Sequence, residues 1–226
     1  MLHAHASDRQ GVVPRAGCLA ATPAVPDDAL GQALEEFGSL IAVERNAEIF
    51  AQGEPATHLY KVVSGVVRTC VYLEDGHRQI GSFQLPGDVF GFEPRERHGF
   101  SAEAVGACRL MRVRRAALEL AAAREPELCR AMLACTFRSM ERLRSQVTLL
   151  GRRSALERVV AFLRALSERQ QQPAVIELPM SRQDIADHLG LTIETVSRTM
   201  TQLQDLGLIT LDGSRRVRVR ARRLAA

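Results

Sequence analysis

Tryptophan does not occur in the 226 residues, and aromatic side chains make up only 4% of them. Proteins that hold single-stranded nucleic acid stack its bases on aromatic rings, so that mode of binding is not expected to dominate. Cysteine is scarce and irregularly placed: Cys18, Cys70, Cys108, Cys129 and Cys135, with no pair spaced as CxxC. An odd number at uneven spacing argues against a disulfide framework and against a zinc module. Reduced thiols in a cytoplasmic protein are the expectation. No run of 18 apolar residues exists, so no membrane-spanning helix is expected. Residues 1–26 lack the basic start and apolar core of a secretory signal. Their Ala, Gly and Pro content predicts a disordered segment, in which His3 and His5 are terminal residues rather than metal ligands. Nucleophile elbows, phosphate loops and metal-ligand helix motifs are also missing, and the histidines lack partners at useful spacings. Catalysis is therefore not expected.

What is present is an ordinary globular balance, 46% hydrophobic and 25% charged, with a net charge of +4. The positive charge is uneven. From Arg215 to Ala226 there are six arginines and no acid. A local basic patch suits a polyanionic partner, although a solvated tail would look the same.

Three patterns follow one another along the chain and predict an α+β protein. After a short helix over residues 30–40, the stretch to about residue 115 reads as short strands broken by glycine turns. HLYKVVSGVVRTCVYL is interrupted at Ser64-Gly65, Asp75-Gly76 has the chemistry of a tight hairpin turn, and LPGD (85–88) turns on Gly87. VGACRLMRV (105–113) reads as a further strand. An antiparallel, jelly-roll-like β-roll over residues 27–125 is expected. Residues 126–151 then read as one long helix. Cys129, Leu133, Thr136, Met140, Leu143, Val147 and Leu150 follow one another at alternating steps of four and three, a heptad seam. Such a seam suits a homodimer; burial of the helix against its own roll is the alternative. Cys129 and Cys135 are expected to pack within this helix, and Cys70 and Cys108 within strands.

The region 152–226 begins with an amphipathic helix, ALERVVAFLRALSER, and a short strand. SRQDIADHLGLTIETVSRTMTQLQDLGLI then divides at Gly190. Ser181 and Asp184 form a capping box for one helix, and Thr192 caps the next. LITL and RRVRVR flank Asp212-Gly213 as a hairpin. Two helices joined by a tight glycine turn and followed by a hairpin predict a winged helix-turn-helix. In the second helix Val196, Met200 and Leu203 face inward. Glu194, Ser197 and Arg198 share the opposite face. A guanidinium there can donate a bidentate pair to guanine, a carboxylate can accept from cytosine, and a serine allows close approach. A solvated helix face is the bland alternative.

These residues resemble a known family. MSRQDIADHLGLTIETVSRTMTQLQDLGLI is similar to the DNA-binding segment of the bacterial CRP/FNR regulators. The E-x-x-S-R pattern at Glu194, Ser197 and Arg198 resembles the FNR branch and its FixK-like group. QLPGDVFGF (84–92) extends the resemblance into the roll. The family implies a cyclic-nucleotide-binding-type roll, a dimerisation helix with Leu133, Thr136, Met140, Leu143, Val147 and Leu150 in its interface, and a homodimer on double-stranded DNA. It implies a half-site like TTGAT paired with ATCAA across four base pairs. Ile193 stands where the cyclic-AMP branch carries an additional arginine. Phosphate contacts carry over to Arg182, Gln183 and Thr192; Arg215 and Arg216 are phosphate candidates from their position at the wing. The family also implies an activator that contacts RNA polymerase, for which the tip Glu74-Asp75-Gly76 is a candidate.

Effector motifs of the family are missing. The cyclic-AMP branch needs Gly-Glu and Arg-Ser pairs; here Gly91-Phe92 stands in the first place and no Arg-Ser dipeptide follows, while Glu93 and Arg95 read as surface residues. A 4Fe–4S cluster needs four thiolates, and only Cys18 lies near the N-terminus, with Met111 near the position of the roll ligand. His58, His77 and His98 leave haem open as an alternative. No cofactor is therefore expected, with an effector-dependent sensor of the same fold as the alternative.

Overall fold

The structure is a computed structural model and describes residues 28–152, 154–171 and 174–219. The expected disordered segment with His3, His5 and Cys18, and the end of the basic tail from residue 220, lie outside the described residues.

The first helix, α1 (Asp28–Phe37), is shorter than expected and gives way to strand β1 (Gly38–Val43). The reason is steric. A Cβ on Gly38 would come within 2.2 Å of the Leu34 carbonyl oxygen and 2.7 Å of Met111. Only glycine lets the chain turn there from helix into a β-branched run. The roll continues through β2 (Glu48–Phe50), β3 (His58–Ser64), β4 (Val67–Tyr72), β5 (Arg78–Gln84), β6 (Val89–Phe90), β7 (Ser101–Ala104) and β8 (Cys108–Arg114). Two four-stranded antiparallel sheets result, ordered β1-β8-β3-β6 and β2-β7-β4-β5. Phe50, Tyr60, Val62, Val67, Phe90, Ala102 and Leu110 fill the space between them. Cys70 and Cys108 are buried strand residues, as expected.

Helix α2 (Arg115–Ala122) was not expected; its Ala- and Leu-rich run RAALELAA supplies high helix propensity without a side-chain cap. Helix α3 (Pro126–Leu150) starts with proline in its first turn, where no intrahelical donor is lost. One face of α3 is in the core: Leu128, Ala131 and Cys135 join Leu30, Leu34 and Leu118. The other face carries apolar side chains into solvent. Leu133, Phe137, Met140, Leu143 and Val147 are all exposed, Val147 to 73%. Thr136 is exposed and Leu150 half-buried. Cys129, the first residue of the expected seam, is exposed as well.

The remaining elements are α4 (Ala155–Gln170), β9 (Val175–Glu177), α5 (Arg182–Leu189), α6 (Ile193–Asp205), β10 (Ile209–Asp212) and β11 (Arg216–Val219). Capping boxes open both α4, at Ser154, and α5, at Ser181. Gly190 ends α5 in the left-handed region at φ 60°, which glycine adopts without a Cβ penalty. The wing is a three-stranded sheet ordered β10-β11-β9. Val217 and Ile176 face each other across it and are fully buried. Among the described residues no helix is long and apolar enough to cross a membrane.

Candidate nucleic-acid interface

Helix α6 begins where the Thr192 hydroxyl accepts from the Thr195 amide at 3.3 Å. Val196, Met200 and Leu203 are essentially fully buried against α4 and α5. Burial of these three fixes the rotation of α6, which leaves Glu194, Ser197 and Arg198 exposed on its first two turns. The structure thus brings the three expected readers onto one outward face. The Glu194 carboxyl sits below the usual carboxylate range. Its own amide is the main cause, with help from the Thr192 hydroxyl and from the charge of Arg198. The carboxylate therefore stays an acceptor at neutral pH, as pairing with a base amine requires.

The phosphate candidates lie at the start of α5, at the cap of α6 and on the wing. Arg182 is the first residue of α5, and its Nη1 is buried without a hydrogen-bond partner among the described residues. Burial lowers its pKa. A buried guanidinium donor left unpaired is costly, and an anion is its natural acceptor. Gln183 is exposed, with its Nε2 donating to Asp187 Oδ1 at 2.6 Å. Arg215 is exposed in the turn between the wing strands. Arg216 is not at the tip: it opens β11, and its Nε donates to Glu177 Oε1 at 2.7 Å. At the tip of the β4–β5 hairpin, the Asp75-Gly76 turn is exposed and its Asp75 accepts from the His77 amide.

Sequence reasoning missed the residues that hold this interface to the roll. Arg68 (β4) donates from Nε and Nη2 to Glu103 Oε2 at 2.9 and 2.6 Å, and from Nη1 to Asp184 Oδ1 at 3.1 Å. Arg78 (β5) donates to Asp184 Oδ1 at 2.7 Å and to Asp187 Oδ2 at 2.7 and 2.9 Å. Burial alone would raise the Glu103 pKa, but hydrogen bonds from Tyr72 and Arg68 outweigh it and keep the carboxylate charged. A second contact centres on Asp88, in the LPGD turn, which accepts from Arg142 of α3 and Arg169 of α4. One signal pointed to the first cluster. Asp184 and Asp187 lie three apart on a helix expected to face phosphates, where two carboxylates need compensation.

The roll contains a cavity of about 340 Å³ between its sheet and α3. Thr69, Ser82, Gln84, Phe92 and Phe100 line it, and Arg142 is its one charged lining residue. That guanidinium is already paired with Asp88. Of the histidines, His77 is exposed beside Asp75, His58 bonds the Thr57 hydroxyl, and His98 is buried with its ring stacked on Phe50 at 3.6 Å. Arg95 is an exposed loop residue as expected, but Glu93 is half-buried and accepts from the Gly99 amide.

Two family models match the chain. Residues 157–224 match the Crp-like helix-turn-helix domain and residues 40–125 the cyclic nucleotide-binding domain. The nitrogen fixation regulation protein FixK of Azorhizobium caulinodans is 49% identical over 196 residues, covering 84% of this chain and 79% of that one.

The chain is a CRP/FNR-family regulator of the FixK group.

It is accordingly a DNA-binding regulator of transcription. The FixK protein of Rhizobium meliloti is 44% identical over 75% of this chain and 77% of that one. The structure of FixK2 from Bradyrhizobium japonicum superposes with a TM-score of 0.79 at 40% identity, over 83% of this chain and 95% of that one. CooA from Carboxydothermus hydrogenoformans, at 18% identity and a TM-score of 0.71 over 85% and 88% of the two chains, shares the fold.

Proposed function

We propose that this FixK-group regulator acts as a cytoplasmic homodimer that reads a TTGAT-N4-ATCAA-like palindrome with Glu194, Ser197 and Arg198. The observation that carries the reading is the placement of these three side chains together on the exposed first turns of α6, with its other face locked into the core. Arg198 donates to guanine, Glu194 accepts from cytosine, and Ser197 admits the helix close to a thymine edge. Arg182, Gln183, Thr192, Arg215 and Arg216 meet phosphates and set the register. Arg216 does so while sharing its charge with Glu177. The exposed apolar stripe of α3 supports the dimer. Two such helices side by side place the recognition helices in successive major grooves, about one helical turn apart.

DNA binding needs no effector in this reading, and the amount of protein governs activity. The cavity supports it, because its only charged lining group is engaged by Asp88 and is not offered to a ligand phosphate. Once on DNA the dimer activates by touching RNA polymerase, with the Asp75-Gly76 tip as a contact.

A titration of the purified protein against the palindrome and a scrambled duplex, at fixed salt and with an absorption spectrum on the same sample, tests this. Tight, selective binding by a colourless protein is expected. Selective binding only after a ligand or haem is added would replace effector independence with an effector-dependent sensor.

A further inference from the structure

We propose that Arg68 and Arg78 of the β-roll are positioning residues for DNA binding, acting through Asp184 and Asp187 on the phosphate-facing end of α5. The inference rests on the proposed phosphate contacts of Arg182 and Gln183. Each aspartate divides its two oxygens between the roll and that end. Asp184 accepts from Arg68 and Arg78 on Oδ1, while its Oδ2 accepts from the Ser181 amide at 3.0 Å and the Ser181 hydroxyl at 2.8 Å. Ser181 is the cap that immediately precedes Arg182. Asp187 accepts from Arg78 on Oδ2, while its Oδ1 accepts from Gln183 Nε2 at 2.6 Å. A third tie backs these up: Gln79 Nε2 donates to the Asp187 carbonyl at 2.7 Å. An unbroken chain of short hydrogen bonds therefore runs from β5 of the roll to the side chain of Gln183.

Charge points the same way. The first helix of a helix-turn-helix crosses the DNA backbone, and α5 brings two carboxylates to that crossing. The cluster sets two guanidinia against the three carboxylates of Glu103, Asp184 and Asp187. Its side chains are largely buried, between 5% and 18% exposed, so salt screens them weakly. Loss of one arginine would double the excess negative charge next to the phosphates.

The full-length dimer is titrated at fixed salt with the palindrome and the scrambled duplex, and affinities are corrected for folded fraction. Gln183→Ala is expected to weaken both duplexes, as a lost phosphate contact does. Arg78→Ala is expected to weaken both by a common factor of about ten, the size of an ordinary coupling between sites. Arg78→Lys keeps the charge and recovers most of that loss, and the effect of Arg78→Ala shrinks in the Gln183→Ala background. Wild-type affinity in Arg78→Ala beside a weakened Gln183→Ala overturns the positioning role and leaves the phosphate contact standing. Wild-type affinity in Gln183→Ala overturns the phosphate reading and this proposal with it. Where Arg78→Ala does not fold, Asp187→Ala decides. Plain electrostatics makes removal of a carboxylate near DNA strengthen binding, whereas positioning makes it weaken; unchanged or tighter binding overturns the proposal.

Discussion

Arg198 and Arg182 are both cations proposed to meet DNA, yet they sit differently and should fail differently. Arg198 projects from the reading face, so Arg198→Ala should cost about 1–3 kcal/mol on the palindrome and relax discrimination at its guanine. Unchanged sequence preference in a base-substitution series would remove it from the readers. Arg182 stands at a helix start, where the proposed phosphate contact would be made whatever the sequence. Arg182→Ala should weaken palindrome and scrambled duplex alike and flatten the slope of log affinity against log salt by about 0.9. His188 matters for stability instead. It is buried between the roll and α4, its Nδ1 against the Ile80 carbonyl and its ring beside Phe83 and Phe162. Burial pushes its pKa down to about 4; the Ile80 carbonyl opposes the shift and Arg169 adds to it. The unfolded chain takes up a proton near pH 6.5 that the folded chain refuses until about pH 4. Stability is therefore full above pH 6.5 and falls through that window as pH drops, by a total on the order of 3 kcal/mol at 1.36 kcal/mol per unit. Denaturant melts at pH 7 and pH 5 should show the fall, and His188→Gln should flatten it.

Among the elements, α3 gives the clearest dimer test. Its exposed stripe runs through Leu133, Met140, Leu143 and Val147. Aspartate at both 140 and 143 should leave a monomer by light scattering, because both side chains are exposed in the single chain. A dimer that survives both changes has its interface elsewhere. Local chemistry made much of the fold legible before any coordinates. Ser181, Thr192 and Gly190 mark helix ends through bonds spanning a few residues, and the heptad steps on α3 need only the helix itself. Other features depend on distant partners. Gly38 is hemmed in by Met111 of β8 as well as by the Leu34 carbonyl, so the end of α1 was misplaced. Phe137 sits one residue beyond Thr136 and widens the stripe past a strict seam. Cys129 fits the seam by spacing and is exposed like most of its other members. The proposed readers were legible because they are a local pattern; Arg68 and Arg78 were not, since their acceptors on α5 lie more than 100 residues away.

At the scale of the molecule, the roll grips the DNA-binding half at two charged points, Arg68 with Arg78 on α5 and Asp88 on α3 and α4. His188 and Gln79 add uncharged ties between the same surfaces. Arg142, which lines the roll cavity, and Arg169 of α4 share the Asp88 carboxylate, so one side chain links the cavity wall to α4. The Arg68 cluster has another consequence, for the order of events during synthesis. Glu103 follows Arg68 by 35 residues and Asp184 follows it by 116. At roughly 5–20 residues per second, the second carboxylate leaves the ribosome several seconds after the first. Glu103 on two guanidinium nitrogens, with Asn46 beside it, can satisfy Arg68 through that interval, so the nascent roll can close before its helix arrives.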